Sequence, residues 1–206
     1  MYKYPKIQTV FLRDPDTNYK KLLIGQFSKP EFEYLAENKW VFTEKVDGTN
    51  IRILWDGLSL EFRGRTDKAE IPNFLLSKLV DMFQPQTFYY HKLPPLCLYG
   101  EGYGAKIQKG GGNYISDGCS FILFDVLIGD VWLDRLSVEA VGSKLKCECV
   151  PIIGTGSLFY GIQKVEQGFA SLLRDTPPEG LIMKPKIEMK NHRGERVITK
   201  LKIRDF

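Results

Sequence analysis

Glu44-Lys45-Val46-Asp47-Gly48-Thr49-Asn50-Ile51-Arg52-Ile53-Leu54-Trp55 carries the signals that decide the fold. Residues 40–43 just before it read as a strand. Asp47-Gly48 is a tight-turn dipeptide. Beyond it, residues 50–55 alternate, with Ile51, Ile53 and Trp55 on one face and Asn50, Arg52 and Leu54 on the other. Asp56-Gly57 then turns the chain into a further strand over 59–63. Strands joined by short turns predict antiparallel pairing, and Lys45 stands at the mouth of that sheet. A crowded lysine acts as a nucleophile once it loses its proton. At a reference pKa near 10.4, only about one lysine in a few thousand is neutral at pH 7, and nearby cations raise that fraction. Lys200 and Lys202 are two apart on a strand, so they share a face and qualify as such cations. By itself, K-x-D-G reads as a hairpin turn with a solvated lysine.

Outward from this stretch, residues 7–12 and 21–27 read as short strands and 30–38 as a helix with Pro30 in its first turn. Residues 72–83 have the helical period through Phe74, Leu75, Leu79 and Met82. Residues 96–100 and 121–128 read as buried strands separated by a glycine-rich loop over 100–118. Helices are expected over 137–146 and 161–173, and strands over 181–184 and 197–203, the latter two as a hairpin around 191–195. Hairpins with interspersed helices and no regular βαβ alternation predict an α+β fold of mostly antiparallel sheets with flanking helices.

The 206 residues suit one domain, which buries roughly 70% of its unfolded surface and needs no disulfide or metal staple. With 43% apolar and 26% charged residues the composition is that of a globular protein, and no apolar run approaches the roughly 20 residues of a membrane span. The N-terminus lacks the apolar core of a signal peptide, and Cys97, Cys119, Cys147 and Cys149 lack zinc-knuckle spacing. Free thiols and a cytoplasmic location are the expectation. The net charge of +4 is unevenly spread, since residues 184–206 hold eight basic side chains against three acidic ones. A basic end on a near-neutral body suits an anionic partner such as a nucleotide or a nucleic-acid backbone.

Further carboxylates and cations sit in suggestive places. Glu101 lies among glycines in Tyr99-Gly100-Glu101-Gly102-Tyr103-Gly104, where a ligand can approach closely. Asp125 is a single carboxylate in the apolar run 121–128, so it is either paired or functional. Glu179-Gly180-Leu181-Ile182-Met183-Lys184 opens on a carboxylate and ends on a lysine. Singly, each is a plain amphipathic strand. In this order, from Trp40 to Lys202, they resemble the lysine-adenylating nucleotidyltransferase superfamily of DNA ligases, RNA ligases and capping enzymes. The resemblance is closest to ATP-dependent RNA ligases of the bacteriophage RNA ligase 2 group. Residues 44–50 resemble the nucleotidyl-lysine motif, 63–66 the arginine motif, and 98–114 the glutamate motif with its G-x-x-I-Q-K-G stretch. Residues 121–126 resemble the base-stacking motif, and the last two strands the EG-x-x-x-K-P and K-x-K motifs.

The resemblance implies a ligase-type adenylation domain without an OB-fold. Lys45 would attack the α-phosphorus of ATP and carry AMP, with Lys200 and Lys202 on the α-phosphate. Glu44 would lie beside the adenine, Phe124 would stack on it and Glu101 would bind a ribose hydroxyl. Arg65, rather than Arg63, would contact ribose or phosphate, and Lys184 of the EG-x-x-x-K-P motif would join the nucleotide site. Asn50 would order the water shell of Mg²⁺ or Mn²⁺, Glu179 would support the metal, and Asp125 is the other acidic candidate for it. The implied activity joins 3′-hydroxyl and 5′-phosphate RNA ends, with nicked duplex the first substrate to consider. The expected organisation is a single domain over 1–206 with residues 1–39 packed on it and no C-terminal nucleic-acid-binding domain. A monomer is expected, with RNA gripped by its own basic face or by a partner protein. A DNA nick ligase, a GTP-using capping enzyme and an RNA-end-binding module that retains the fold are the competing readings.

Overall fold

The computed structural model describes residues 3–206; Met1 and Tyr2, part of the N-terminus read above, lie outside the described residues. The chain divides into two compact units, one comprising Pro5–Val46 with Pro151–Phe206 and the other built on Asp47–Val150 together with Tyr4.

The chain begins in the first unit with β1 (Gln8–Thr9), β2 (Phe11–Arg13), β3 (Leu22–Phe27), α1 (Pro30–Tyr34) and β4 (Trp40–Glu44). In the second unit follow β5 (Thr49–Trp55), β6 (Leu60–Gly64), α2 (Asn73–Met82), α3 (Pro85–Tyr90), β7 (Leu96–Gly104), β8 (Cys119–Ile128), β9 (Val131–Trp132) and α4 (Arg135–Lys144). The chain returns to the first unit with β10 (Ile152–Gly156), α5 (Leu158–Gln167), β11 (Gly180–Pro185) and β12 (Thr199–Lys202).

The second unit is a sheet in the order β6-β5-β7-β8-β9, all antiparallel. The predicted alternation of β5 holds, with Ile51, Ile53 and Trp55 in one core with Leu75 and Leu79 of α2 and Val138 and Val141 of α4. The opposite face is not solvated as the alternation alone suggests. Arg52 is 0% exposed, donating to the Gly64 carbonyl at 2.8 Å and to Asp67 at 2.7 Å. A buried guanidinium needs these partners to offset its lost hydration. Of the residues read on the helical period of α2, Leu75 and Leu79 are fully buried, whereas Phe74 is 43% exposed.

The first unit holds a sheet in the order β1-β12-β11-β4-β10 and a separate β2-β3 pair. Its pairings are antiparallel except β1 with β12, which is parallel. The amphipathic α5 buries Leu158, Ile162 and Val165 against Phe42, Leu181 and Met183. It begins at Leu158, not Gly161, because the Ser157 hydroxyl caps it by accepting the Tyr160 N–H at 3.2 Å. It ends before Gly168, whose φ of +76° breaks the helical path, so 169–173 is not helical. The short α3, β9 and β10 were not read from sequence, since each is too short to show a period. The α+β, mostly antiparallel architecture is as expected. Among the described residues no helix is long and apolar enough to cross a membrane, and all four cysteines are free thiols.

Candidate active site

Strand register places the basic and acidic groups of the first unit. Glu44, the last residue of β4, pairs with Leu181, and the Lys45 N–H donates to the Gly180 carbonyl at 2.9 Å. Glu179 therefore stands at the strand end beside Lys45. On the other side of β11, Gly180 pairs with Lys202 and Ile182 with Lys200. The outcome is a clamp: Lys45 Nζ lies 2.5 Å from Glu179 Oε2, and Lys202 Nζ lies 2.6 Å from Oε1. All three side chains are mostly hidden, with 21%, 17% and 14% exposure for Lys45, Lys202 and Glu179. Gly180 has to be glycine here. Its φ is +155°, and a Cβ would sit 2.0 Å from the Leu201 carbonyl oxygen.

Burial pushes the Glu179 carboxyl up, but Lys45 and Lys202 outweigh it and hold the group below the usual carboxylate range. Lys200 moves the other way. Burial, then the charges of Lys45 and Lys202, lower its ammonium pKa against the opposing pull of Glu179, with a smaller push from Arg13. The expected crowd of cations around Lys45 is thus present, but its nearest neighbour is a carboxylate.

Glu44, expected beside the adenine, is 1% exposed. Its carboxylate accepts the Ser171 hydroxyl at 2.5 Å and the Leu172 N–H at 2.8 Å, while Ser171 Oγ accepts the N–H groups of Leu173 and Arg174. Glu44 is therefore the anchor of the 171–174 turn. Ser171 carried no signal in the sequence, because its partner lies 127 residues away. Lys184 lies on β11 opposite Val41, toward the other end of that strand.

In the second unit, Asn50 pairs in register with Glu101. Gly64 pairs with Ile51, so Arg65, which follows directly, lies at the same end of the sheet as Asn50 and Glu101. Arg65 is exposed, whereas Arg63 is engaged by Glu61 and Asp67. Asn50 Oδ1 is buried with no hydrogen-bond partner among the described residues. The Asp47-Gly48 turn is braced from the 98–114 stretch. The Asp47 N–H donates to the Tyr114 hydroxyl at 3.1 Å, and Gln108 Nε2 donates to the Gly48 carbonyl at 3.1 Å.

Phe124 and Asp125 sit at a bulge in β8. Gly100 pairs with Leu123 and Tyr99 with Asp125, which leaves Phe124 as the extra residue. The bulge keeps Leu123 in the core while Asp125 joins Tyr99 on the other face. There the Tyr4 hydroxyl donates to Asp125 in a very short hydrogen bond, and the Tyr4 ring packs against Phe124, Tyr99 and Trp132. Asp125 is 1% exposed, so one of the two alternatives raised for it, pairing, is met by Tyr4.

Among the described residues no group of three or more His, Cys, Asp and Glu could cage a metal ion. Mg²⁺ keeps its waters and uses one or two protein carboxylates with substrate phosphates, a demand that the partly exposed Glu179 of the first unit fits. Asp125, sealed under Tyr4, fits it less well.

The family described as RNA ligase matches residues 38–202. No curated protein sequence matches the chain. Among solved structures, a Naegleria gruberi RNA ligase with PPi is 20% identical, with a TM-score of 0.68 over 97% of this chain and 57% of that one. A mutant of that ligase with ATP and Mn is 19% identical, with a TM-score of 0.71 over 98% of this chain and 56% of that one. Another mutant with ATP and Mn covers 84% of this chain and 52% of that one, at 20% identity and a TM-score of 0.67. The chain thus spans little more than half the length of these relatives, and at such identities the likeness is one of fold.

Proposed function

The chain belongs to the RNA ligase family, and from that premise we propose that it is an ATP-dependent RNA ligase working through a lysyl-AMP intermediate. The observation that carries this reading is the clamp of Lys45 and Lys202 on Glu179, with Lys200 on the same strand as Lys202. A lysine in a solvated hairpin turn needs neither partial burial nor two neighbouring lysines.

Lys45 attacks the α-phosphorus of ATP once its ion pair with Glu179 opens and its proton is lost. A nitrogen–phosphorus bond forms, the bond to the bridging oxygen breaks, and pyrophosphate leaves. Lys200 and Lys202 stabilise the negative charge that develops on the α-phosphate oxygens. Glu179, released from the lysines, is the carboxylate offered to a divalent metal, with Asn50 Oδ1 as an acceptor for metal-bound water and Asp125 as a lesser candidate. The metal neutralises phosphate charge when bound. Glu44 shapes the adenine site through the 171–174 turn, while Phe124 stacks on the base. Glu101 takes a ribose hydroxyl, and Arg65 and Lys184 contact the nucleotide. AMP then passes to a 5′-phosphate, and a 3′-hydroxyl displaces it to seal the strand, nicked duplex RNA being the first substrate to try. In this reading residues 1–206 belong to a nucleotidyltransferase domain, and the cytoplasm is where it meets ATP and RNA.

The test uses α-labelled ATP with Mg²⁺ or Mn²⁺ on protein freed of preloaded AMP. Acid-labile label on the wild-type chain and none on a folded Lys45→Ala variant is the expected outcome. Label on Lys45→Ala overturns the assignment of the nucleophile. No label on the wild type with either metal overturns the ligase reading in favour of an RNA-end-binding module.

A further inference from the structure

The first unit holds an open groove of about 830 Å³ that begins at Lys200 and Lys202. Its other wall comes from the start of the chain. The parallel pairing of β1 with β12 sets Gln8 opposite Thr199 and Thr9 opposite Lys200, which brings the segment around β1 and β2 alongside the lysine strand. Lys6, Arg13 and Lys20 line the groove from that side and Arg204 from the other. Asp205 is its only acidic lining residue among the described ones, and its charge is already committed. It pairs with Arg13 at 2.9 Å and accepts the Lys202 N–H at 2.9 Å. Arg13 also donates to the carbonyls of Tyr19 and Lys20 at 3.2 and 3.4 Å, which ties that turn to the groove. Tyr19 lines the same groove and is 63% exposed.

A chain of phosphates would balance these cations. Two sources share the chemistry, the polyphosphate tail of ATP and the backbone of a nucleic acid. The groove lies in the upper part of the roughly 300–1,000 Å³ range of small-ligand sites, far larger than a pyrophosphate needs. Its cations come from separate segments, and an aromatic ring is exposed among them. A charged groove with an exposed aromatic side chain is the arrangement that holds single strands, phosphates on the cations and a base on the ring.

We propose that this groove holds a short single-stranded stretch of the RNA, with phosphates on Lys6, Lys20 and Arg204, a base on Tyr19, and the phosphorylated end toward Lys200 and Lys202. The proposal rests on the ligase reading for the identity of the strand, but its test does not depend on catalysis. Lys6, Lys20 and Tyr19 are exposed and lie outside the catalytic set, so their substitution leaves the fold intact. The variants are Lys6→Glu/Lys20→Glu and Tyr19→Ala. Binding of a 5′-phosphorylated, 3′-fluorescein RNA oligonucleotide is followed by anisotropy across a salt series without ATP, and covalent AMP uptake is measured in parallel.

The double charge reversal should weaken RNA binding roughly tenfold or more at about 0.1 M salt, and lower the salt slope by about 1.4, or about 0.7 for each lost phosphate contact. Tyr19→Ala should weaken binding about fivefold or more with the slope unchanged, since stacking is insensitive to counterions. AMP uptake should stay within about twofold of wild type in both, because neither variant touches the lysine clamp. Unchanged RNA affinity and slope in both variants overturns the proposal. So does a loss of AMP uptake with RNA binding intact, which would give the groove to the polyphosphate tail. A wild type that takes up no AMP but binds RNA in a Lys6- and Lys20-dependent way would sink the ligase reading and sustain the groove.

Discussion

Replacing Glu179 by glutamine removes one negative charge from between two ammonium groups and changes little else. The wild-type carboxylate lies 2.5 Å from Lys45 and 2.6 Å from Lys202, at 14% exposure. Breaking a fully buried pair from one side costs about 3–5 kcal/mol, whereas an exposed pair is worth about 0–1. The clamp lies between those limits. The glutamine carbonyl still accepts one lysine hydrogen bond, worth about 1 kcal/mol. A net loss of about 2 kcal/mol follows, or roughly 4–8 °C in Tm for a chain of this size. The pH dependence has a definite sign. Glu179 has a depressed pKa in the folded protein, so its stabilisation is complete above the unfolded carboxylate value near 4.3 and is lost as pH falls through the lower folded value. The gap between wild type and Glu179→Gln should be full at pH 7 and close in acid below about pH 4. Thermal unfolding of both proteins from pH 3 to 8 measures it. A gap below about 0.5 kcal/mol at pH 7, or one that persists unchanged at pH 3, would refute the clamp as a stabilising ion-pair network.

Three further perturbations probe the surroundings. Gly48→Ala places a Cβ 2.2 Å from the Gly102 carbonyl oxygen and 2.8 Å from Glu101 Cγ. It should cost roughly 1–3 kcal/mol by overpacking and depress AMP uptake by shifting the turn after Lys45, and unchanged values of both would show that the turn has slack. Tyr4→Phe keeps the ring contacts with Tyr99, Phe124 and Trp132 but takes one donor from buried Asp125. Its expected cost is about 1–3 kcal/mol in chemical denaturation, and a neutral effect would mean that the donor contributes nothing net. Burial pushes the Cys97 thiol up to about 11 and Cys147 to about 12, so both should resist a disulfide reagent at pH 8 until the protein unfolds. Rapid native-state labelling of either would contradict their burial.

Much of the fold was legible because its signals are local. The alternation of Ile51, Ile53 and Trp55, the Asp56-Gly57 hairpin turn and the Leu75–Leu79 spacing each act within a few residues, and each sits where the pattern put it, whereas Asp47-Gly48 closes no hairpin and links β4 to β5 in different sheets. The short α3, β9 and β10 were not legible, because elements of two to six residues owe their shape to what they pack against. Among site residues, Lys45, Glu179, Lys200 and Lys202 were picked out by residue type and order, and strand register gathers these four in one unit. Glu44 was picked out too, but its partner, the Ser171 turn, was invisible from one dimension.

By itself the amino-acid sequence determined where most of the longer segments extend or coil, and which side chains stand out as candidates for nucleotide chemistry. Those properties follow from backbone preferences and side-chain chemistry within a window of a few residues. Only the tertiary structure decided which charges neighbour one another. It set Glu179 between Lys45 and Lys202, 134 residues from the first, and let a bulge turn Asp125 away from the core toward Tyr4. It buried Arg52 on the face opposite Ile51, Ile53 and Trp55, and it laid β1 parallel to β12 so that a groove of cations includes Lys200 and Lys202. Each of these depends on register between distant strands. A shift of one residue would turn every side chain on a strand to the other face without altering any local pattern.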